Sequence, residues 1–268
     1  MPTAVHEALV SLQDRWREVN LLIDKARDIL QVDAEFHNVL CRAATVLIAA
    51  NIEGYVRDVA KAIVADVNSH STFKNSKLAM KRTFCGAFFE PERREGKDGN
   101  ARIERLIATF DGLDTKFTID AFLFEGKHDD HRNPSPQVVE RIARKFGIKK
   151  VFHMLQESRL DEVFSGSASD TTWLVRDLCE HLQKSVNVFP YEVGLEQFDL
   201  HRHGNVPQGT RTFWETYLDD LLKQRHLIAH GASRLNGLSV DEVIDRQQKA
   251  LVLQYGFTAV LCNEVQKA

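Results

Sequence analysis

The stretch FHNVLCRAATVLIAANIEGYVRDVAKAI, residues 36–63, decides the fold class. Phe36, Val39, Leu40, Ala43, Val46, Leu47 and Ala50 recur at three- and four-residue steps, and Ile52, Tyr55, Val56, Val59 and Ile63 carry the pattern on to about residue 68. That is the period of an α-helix, because side chains three and four apart share one face. A helix this apolar through its middle packs against neighbours on more than one side, so the segment is expected at the centre of the fold. Asn51 and Glu53 interrupt it. Glu53 reads either as a solvent-facing charge or as a carboxylate that orients a cation in a site.

Upstream, residues 3–31 repeat the helical period with Val5, Leu9, Leu12, Trp16, Val19, Ile23, Ala26 and Leu30. Downstream, short helices are expected over 75–90 and 101–110, separated by an exposed loop at EPERREGKDGN. GKHDDHRNPSP (126–136) is the strongest turn signal, and Ser135-Pro136 opens a helix that Gly147 stops. Residues 151–164 read as one helix, and Asp170 as the N-cap of the next, over 171–185. After an irregular connection to residue 210, two more helices are expected over 210–230 and 239–265. NVFPYEV (187–193) is the one strand candidate. The expected fold is therefore all-α: an elaborated helical bundle forming one domain over 1–268, with an N-terminal helix (1–32) ahead of a helical core (33–268).

The chain has 268 residues, with 35 Lys+Arg against 38 Asp+Glu and a net charge of −3. Such a balance argues against coating nucleic acid over the whole surface, though it leaves room for a local basic site. The four cysteines, Cys41, Cys85, Cys179 and Cys262, form no C-x-x-C pair, which speaks against a zinc knuckle or a disulfide framework. The N-terminus has neither the basic nor the apolar region of a signal peptide, and no long uninterrupted apolar run suggests a membrane span. A cytoplasmic location and no membrane partner are expected.

The chemistry-bearing segment is TRTFWETYLDDLLKQRHLIAHGAS, residues 210–233. Trp214, Leu218, Leu221 and Leu222 supply its buried stripe, and Gly231 fits the residue after a helix end, where φ is positive. His230 then faces the negative end of the helix dipole, a place that suits a cation. Arg225 and His230 are five residues apart, about 140° around a straight helix. They converge on one pocket only if the helix end unwinds at Gly231 or if a second protomer supplies the other half. A guanidinium holds a phosphodiester in two-pronged fashion, and an imidazole moves protons to and from its oxygens. By spacing alone the cluster reads as a helix C-terminus decorated with basic residues.

QRHLIAHG (224–231), late in an all-α chain, resembles the R-x4-6-H motif of the HEPN superfamily (higher eukaryotes and prokaryotes nucleotide-binding domains). RAATVLIAANIEGYVRDVAKAI (42–63) is similar to the apolar, then Glu-x-Tyr/Phe helix of its RiboL-PSP branch, and NPSP with VVERIARKFGI (133–148) is similar to that branch's midsection. The likeness covers most of the chain from about residue 35. It implies a metal-independent endoribonuclease, without a cofactor, in a toxin–antitoxin or antiviral defence setting. RNA is the implied substrate, an antitoxin or defence-system protein a possible partner, and 2′,3′-cyclic phosphate and 5′-hydroxyl ends the products. It also implies a homodimer whose Arg/His motifs build a composite site. On this reading Arg225 and His230 are catalytic, while Glu53, His226 and Gln224 support them. His226 stands where the family often has Asn, and Ala232 where some relatives carry a modifiable Tyr.

Arg141, Arg144, Lys145, Lys149 and Lys150 are the candidate RNA-binding set, alternatively a solvated helix face. A second basic region includes Lys77, Lys81, Arg82, Arg93 and Arg94, offset by Glu90, Glu92 and Glu95, with Phe84, Phe88 and Phe89 as candidate stacking aromatics. His128, Asp129, Asp130 and His131 have ligand chemistry but read better as a solvated turn, as do His201 and His203, so no metal site is expected. The competing function is a non-catalytic HEPN-like interaction or nucleotide-sensing module.

Overall fold

The computed structural model describes residues 2–90, 93–94, 96–113, 115–118, 135–156, 158–200, 209–231 and 238–266. The long apolar stretch forms a single helix, α2 (Ala34–His70), which packs along α1 (Ala4–Ile29). Its other sides meet α9 (Phe213–Ala229) and α10 (Val240–Val265). Ile48, Ala49, Ile52, Val59, Ala60, Ile63 and Val64 are fully buried, as a helix contacted all round requires. By length and composition this helix is apolar enough to cross a membrane, with a mean hydropathy of 1.4 over its most apolar 18 residues, yet half of that window is buried against its neighbours.

Around this centre stand α3 (Leu78–Gly86), α4 (Gly96–Gly112), α5 (Pro136–Lys145), α6 (Val151–Leu155), α7 (Glu162–Ser165) and α8 (Ala168–Ser185). All regular structure among the described residues is helical, so the expected strand at 187–193 is absent. Two of its residues find other partners: the Glu192 amide donates to the Ser185 carbonyl at 2.9 Å, and Gln266 accepts from the Val193 amide and donates to the Val193 carbonyl, both at 3.3 Å.

Several helix limits differ from expectation for identifiable reasons. The loop predicted near residue 96 is already helix, and within it Gly99 lies so close to the Arg94 carbonyl that a Cβ would stand 2.3 Å from its oxygen, which is why a glycine is needed there. The single helix expected over 151–164 is broken at Ser158, whose hydroxyl donates to Leu155 O at 2.6 Å and accepts from Leu160 N at 3.1 Å. Ser167, not Asp170, caps α8, and Asp170 sits at its third position, accepting from the Ser167 amide. The same reciprocal box opens α9 through Thr212 and Glu215, and α10 through Ser239 and Glu242.

One buried carboxylate ties the amino terminus to the core. Asp66 of α2, only 3% exposed, accepts from the Ala4 amide at 2.7 Å, the Val5 amide at 3.0 Å and the Tyr191 hydroxyl at 2.7 Å. The first two are unpaired donors of α1's opening turn, so the charge meets the positive end of that helix. Cys41, Cys85 and Cys262 are buried free thiols, while Cys179 is half-buried.

Candidate functional site

Packing fixes α9 before any chemistry is considered. Trp214 and Leu218 are fully buried, Leu221 nearly so, and the Trp214 indole N–H donates to Asp161 at 2.9 Å. Tyr217 donates to the carbonyl of Arg246 on α10 at 2.7 Å. The Thr212–Glu215 box closes its first turn and fixes where the helix begins.

That placement carries Arg225 to α2, where its guanidinium stands 3.8 Å from the Glu53 carboxylate. Arg57, one turn beyond Glu53, reaches the other oxygen of the same carboxylate at 3.1 Å. The three side chains are 28%, 22% and 25% exposed, partly withdrawn from water without being buried. Two guanidiniums thus converge on one carboxylate, and the guanidinium fork is a side chain well suited to a phosphate. Arg57 is missing from the sequence-derived set; the Glu-x3-Arg spacing is the signal that points to it, since residues four apart face each other on a helix.

The helix remains regular through Ala229, and the His230 amide still donates to the His226 carbonyl at 3.0 Å. The turn away comes only at Gly231, with φ of +72°. Arg225 and His230 therefore keep the angular separation of a straight helix, and unwinding before the motif's end does not bring them together. His230 lies against His226 instead, with ring centroids 4.2 Å apart and both side chains exposed. Gln224 is half-buried in the same last two turns.

The candidate RNA-binding set divides. Arg144, Lys149 and Lys150 are exposed and Arg141 is half-buried. Lys145 is only 6% exposed, which removes it from any solvent face. Beside these cations the Glu140 carboxyl is held above the usual carboxylate range, first by burial, against the opposing pull of the Phe152 amide. The second basic region is largely internally compensated: Lys77 pairs with Glu264, Lys81 with Asp111 and Arg82 with Glu104. Phe84 is buried in a ring cluster with Phe73, Phe110 and Phe117, so it is core rather than a stacking surface, while Phe88 is 55% exposed. His128, Asp129, Asp130, His131, His201 and His203, like Glu92 and Glu95, lie outside the described residues.

A family model described as RiboL-PSP-HEPN matches residues 10–263. The match takes in α1 from residue 10 onward and so reaches further toward the N-terminus than the motif likeness from about residue 35. No curated protein and no solved structure matches the chain.

Proposed function

The chain belongs to the RiboL-PSP-HEPN family, and from that premise we propose that it is a metal-independent endoribonuclease whose Arg225–His230 site is completed by a second copy. His230 takes the proton of an RNA 2′-hydroxyl as that oxygen attacks the neighbouring phosphorus. The bond from phosphorus to the 5′-oxygen breaks, and an imidazolium returns a proton to the leaving oxygen. The products are a 2′,3′-cyclic phosphate and a 5′-hydroxyl. Arg225, held by Glu53, binds the scissile phosphate and offsets the charge that builds on it. His226 and Gln224 line the same helix end.

The observation that carries this reading is the Arg225–Glu53 contact, which holds a guanidinium next to a solvent-open histidine helix end. A second copy is supported by the α2 surface. Phe36, Val39, Ala43, Val46 and Ala50 repeat at three- and four-residue steps and are all at least partly exposed, with Phe36 at 42% and Val39 at 43%. This apolar seam runs along α2 directly into Glu53, the pattern by which helices pair. Arg141, Arg144, Lys149 and Lys150 then add local phosphate contacts. The setting we infer is cytoplasmic toxin–antitoxin or antiviral defence, with an antitoxin or defence protein as the neutralising or activating partner.

Cleavage of RNA in EDTA, analysed by the chemistry of the new ends, tests the reading. His230→Ala is expected to lower the rate at least ~100-fold, the usual scale of a general acid–base group, and to relieve toxicity on expression. Equal cleavage by wild type and variant, or loss of cleavage in EDTA, overturns it. A folded dimer that cleaves no RNA supports the non-catalytic module instead.

A further inference from the structure

We propose that His226 and His230 together form a binding site for a divalent transition-metal ion of the Zn2+, Ni2+ or Cu2+ class, and that the bound ion silences the proton-transfer role of His230. The two residues are four apart on the last turn of α9, and the 3.0 Å bond from the His230 amide to the His226 carbonyl keeps that turn helical. Histidines four apart on one helix face are a recurrent two-nitrogen chelate, because the helix itself sets the distance between the rings. Here the rings meet at a centroid separation of 4.2 Å with an interplanar angle of 53°. They are tilted rather than stacked face to face. Two imidazoles bound to one ion at metal–nitrogen distances of about 2.0–2.1 Å have centroids roughly 4.5–5 Å apart. The observed 4.2 Å falls just short of that range, and both exposed side chains have room to turn about their torsions.

The surroundings favour a cation of this class. Both side chains are exposed, so two to four coordination positions stay open to water. The site lies at the C-terminal end of α9, where the last carbonyls project a negative field. Neutral imidazole nitrogens suit copper, nickel and zinc, whereas magnesium and calcium demand oxygen donors. Once a ring nitrogen of His230 is bonded to the ion, its lone pair can no longer accept a proton from a 2′-hydroxyl. This second half rests on the ribonuclease reading; the binding half does not.

Direct binding therefore comes first, by titrating the purified chain with ZnCl2 or NiCl2 alone and reading heat and bound metal, with no RNA present. Wild type is expected to bind an ion in the micromolar range that His226→Gln and His230→Gln each weaken at least tenfold, while Arg225→Gln retains it. Circular dichroism of each variant checks that the helices persist. Absence of binding by wild type, or binding that either histidine variant keeps, overturns the site. Metal addition to an RNA-cleavage reaction is then expected to inhibit wild type at the same concentrations, with EDTA restoring the rate. Inhibition absent at saturating metal overturns the regulatory half alone. A chain that binds the ion through both histidines yet cleaves no RNA leaves the site standing and removes the ribonuclease reading.

Discussion

The guanidinium of Arg225 stands 3.8 Å from the carboxylate of Glu53, across the contact between α9 and α2, and Arg57 holds that carboxylate's other oxygen. Partly exposed pairs of this kind contribute about 1 kcal/mol or less to stability. Glu53 is thus better placed to orient Arg225 than to hold the helices together. Glu53→Gln is expected to shift the denaturant midpoint by no more than that small energy while lowering the RNA-cleavage rate ~10-fold or more. A double-mutant cycle with Arg225→Gln separates the two effects: the pair couples in cleavage rate and hardly at all in unfolding. Additive losses in cleavage rate would remove the orienting role.

Asp66→Ala tests the opposite kind of carboxylate. Its removal strands two amides of α1's first turn and the buried Tyr191 hydroxyl. Each orphaned donor costs about 1–3 kcal/mol, so the variant is expected to lose at least ~3 kcal/mol in urea unfolding. A loss below ~1 kcal/mol would mean that water replaces the carboxylate freely.

Gly231→Ala isolates the exit from α9. Among the described residues a Cβ there meets nothing within 4 Å, so the obstacle is the φ of +72°. The expected loss is about 1–2 kcal/mol, all of it backbone. Cleavage is expected to fall more than stability alone explains, since the turn at Gly231 holds His230 at the end of the helix.

Glu140 carries a pH signature. Its folded-state pKa lies above the unfolded value because burial disfavours the ionised form. The folded chain therefore binds the proton more tightly, and stability falls as pH rises from the ordinary glutamate range through the raised one. Above that window Glu140→Gln is expected to melt higher than wild type, with its amide oxygen still able to accept from Phe152 N. Below the window the difference vanishes. An unchanged difference between acidic and neutral pH would contradict the burial effect.

Helix identity was legible wherever the apolar period ran long: α1, α2, α9 and α10 lie within a few residues of their sequence-derived limits. What periodicity misses is local hydrogen bonding. Ser158 breaks a segment whose apolar spacing continues on both sides, and Gly99 looks like a loop residue until the carbonyl packed against it is known. The candidate site was readable as residue types, Arg225, His230 and Glu53, because their polarity stands out in apolar helices. Which cations reach solvent was not. Lys145 and Arg144 are neighbours of the same charge, and only the packing of α5 buries one and exposes the other.

The three reciprocal boxes, Ser167 with Asp170, Thr212 with Glu215 and Ser239 with Glu242, locate each helix start from within a four-residue stretch. For α9 this means that the count from Thr212 to Arg225 is set independently of whatever chain precedes the cap. The connection ahead of Thr212 can therefore change in length or sequence without moving the guanidinium from its place opposite Glu53. Changes ahead of the cap thus leave the helix that bears the motif in register.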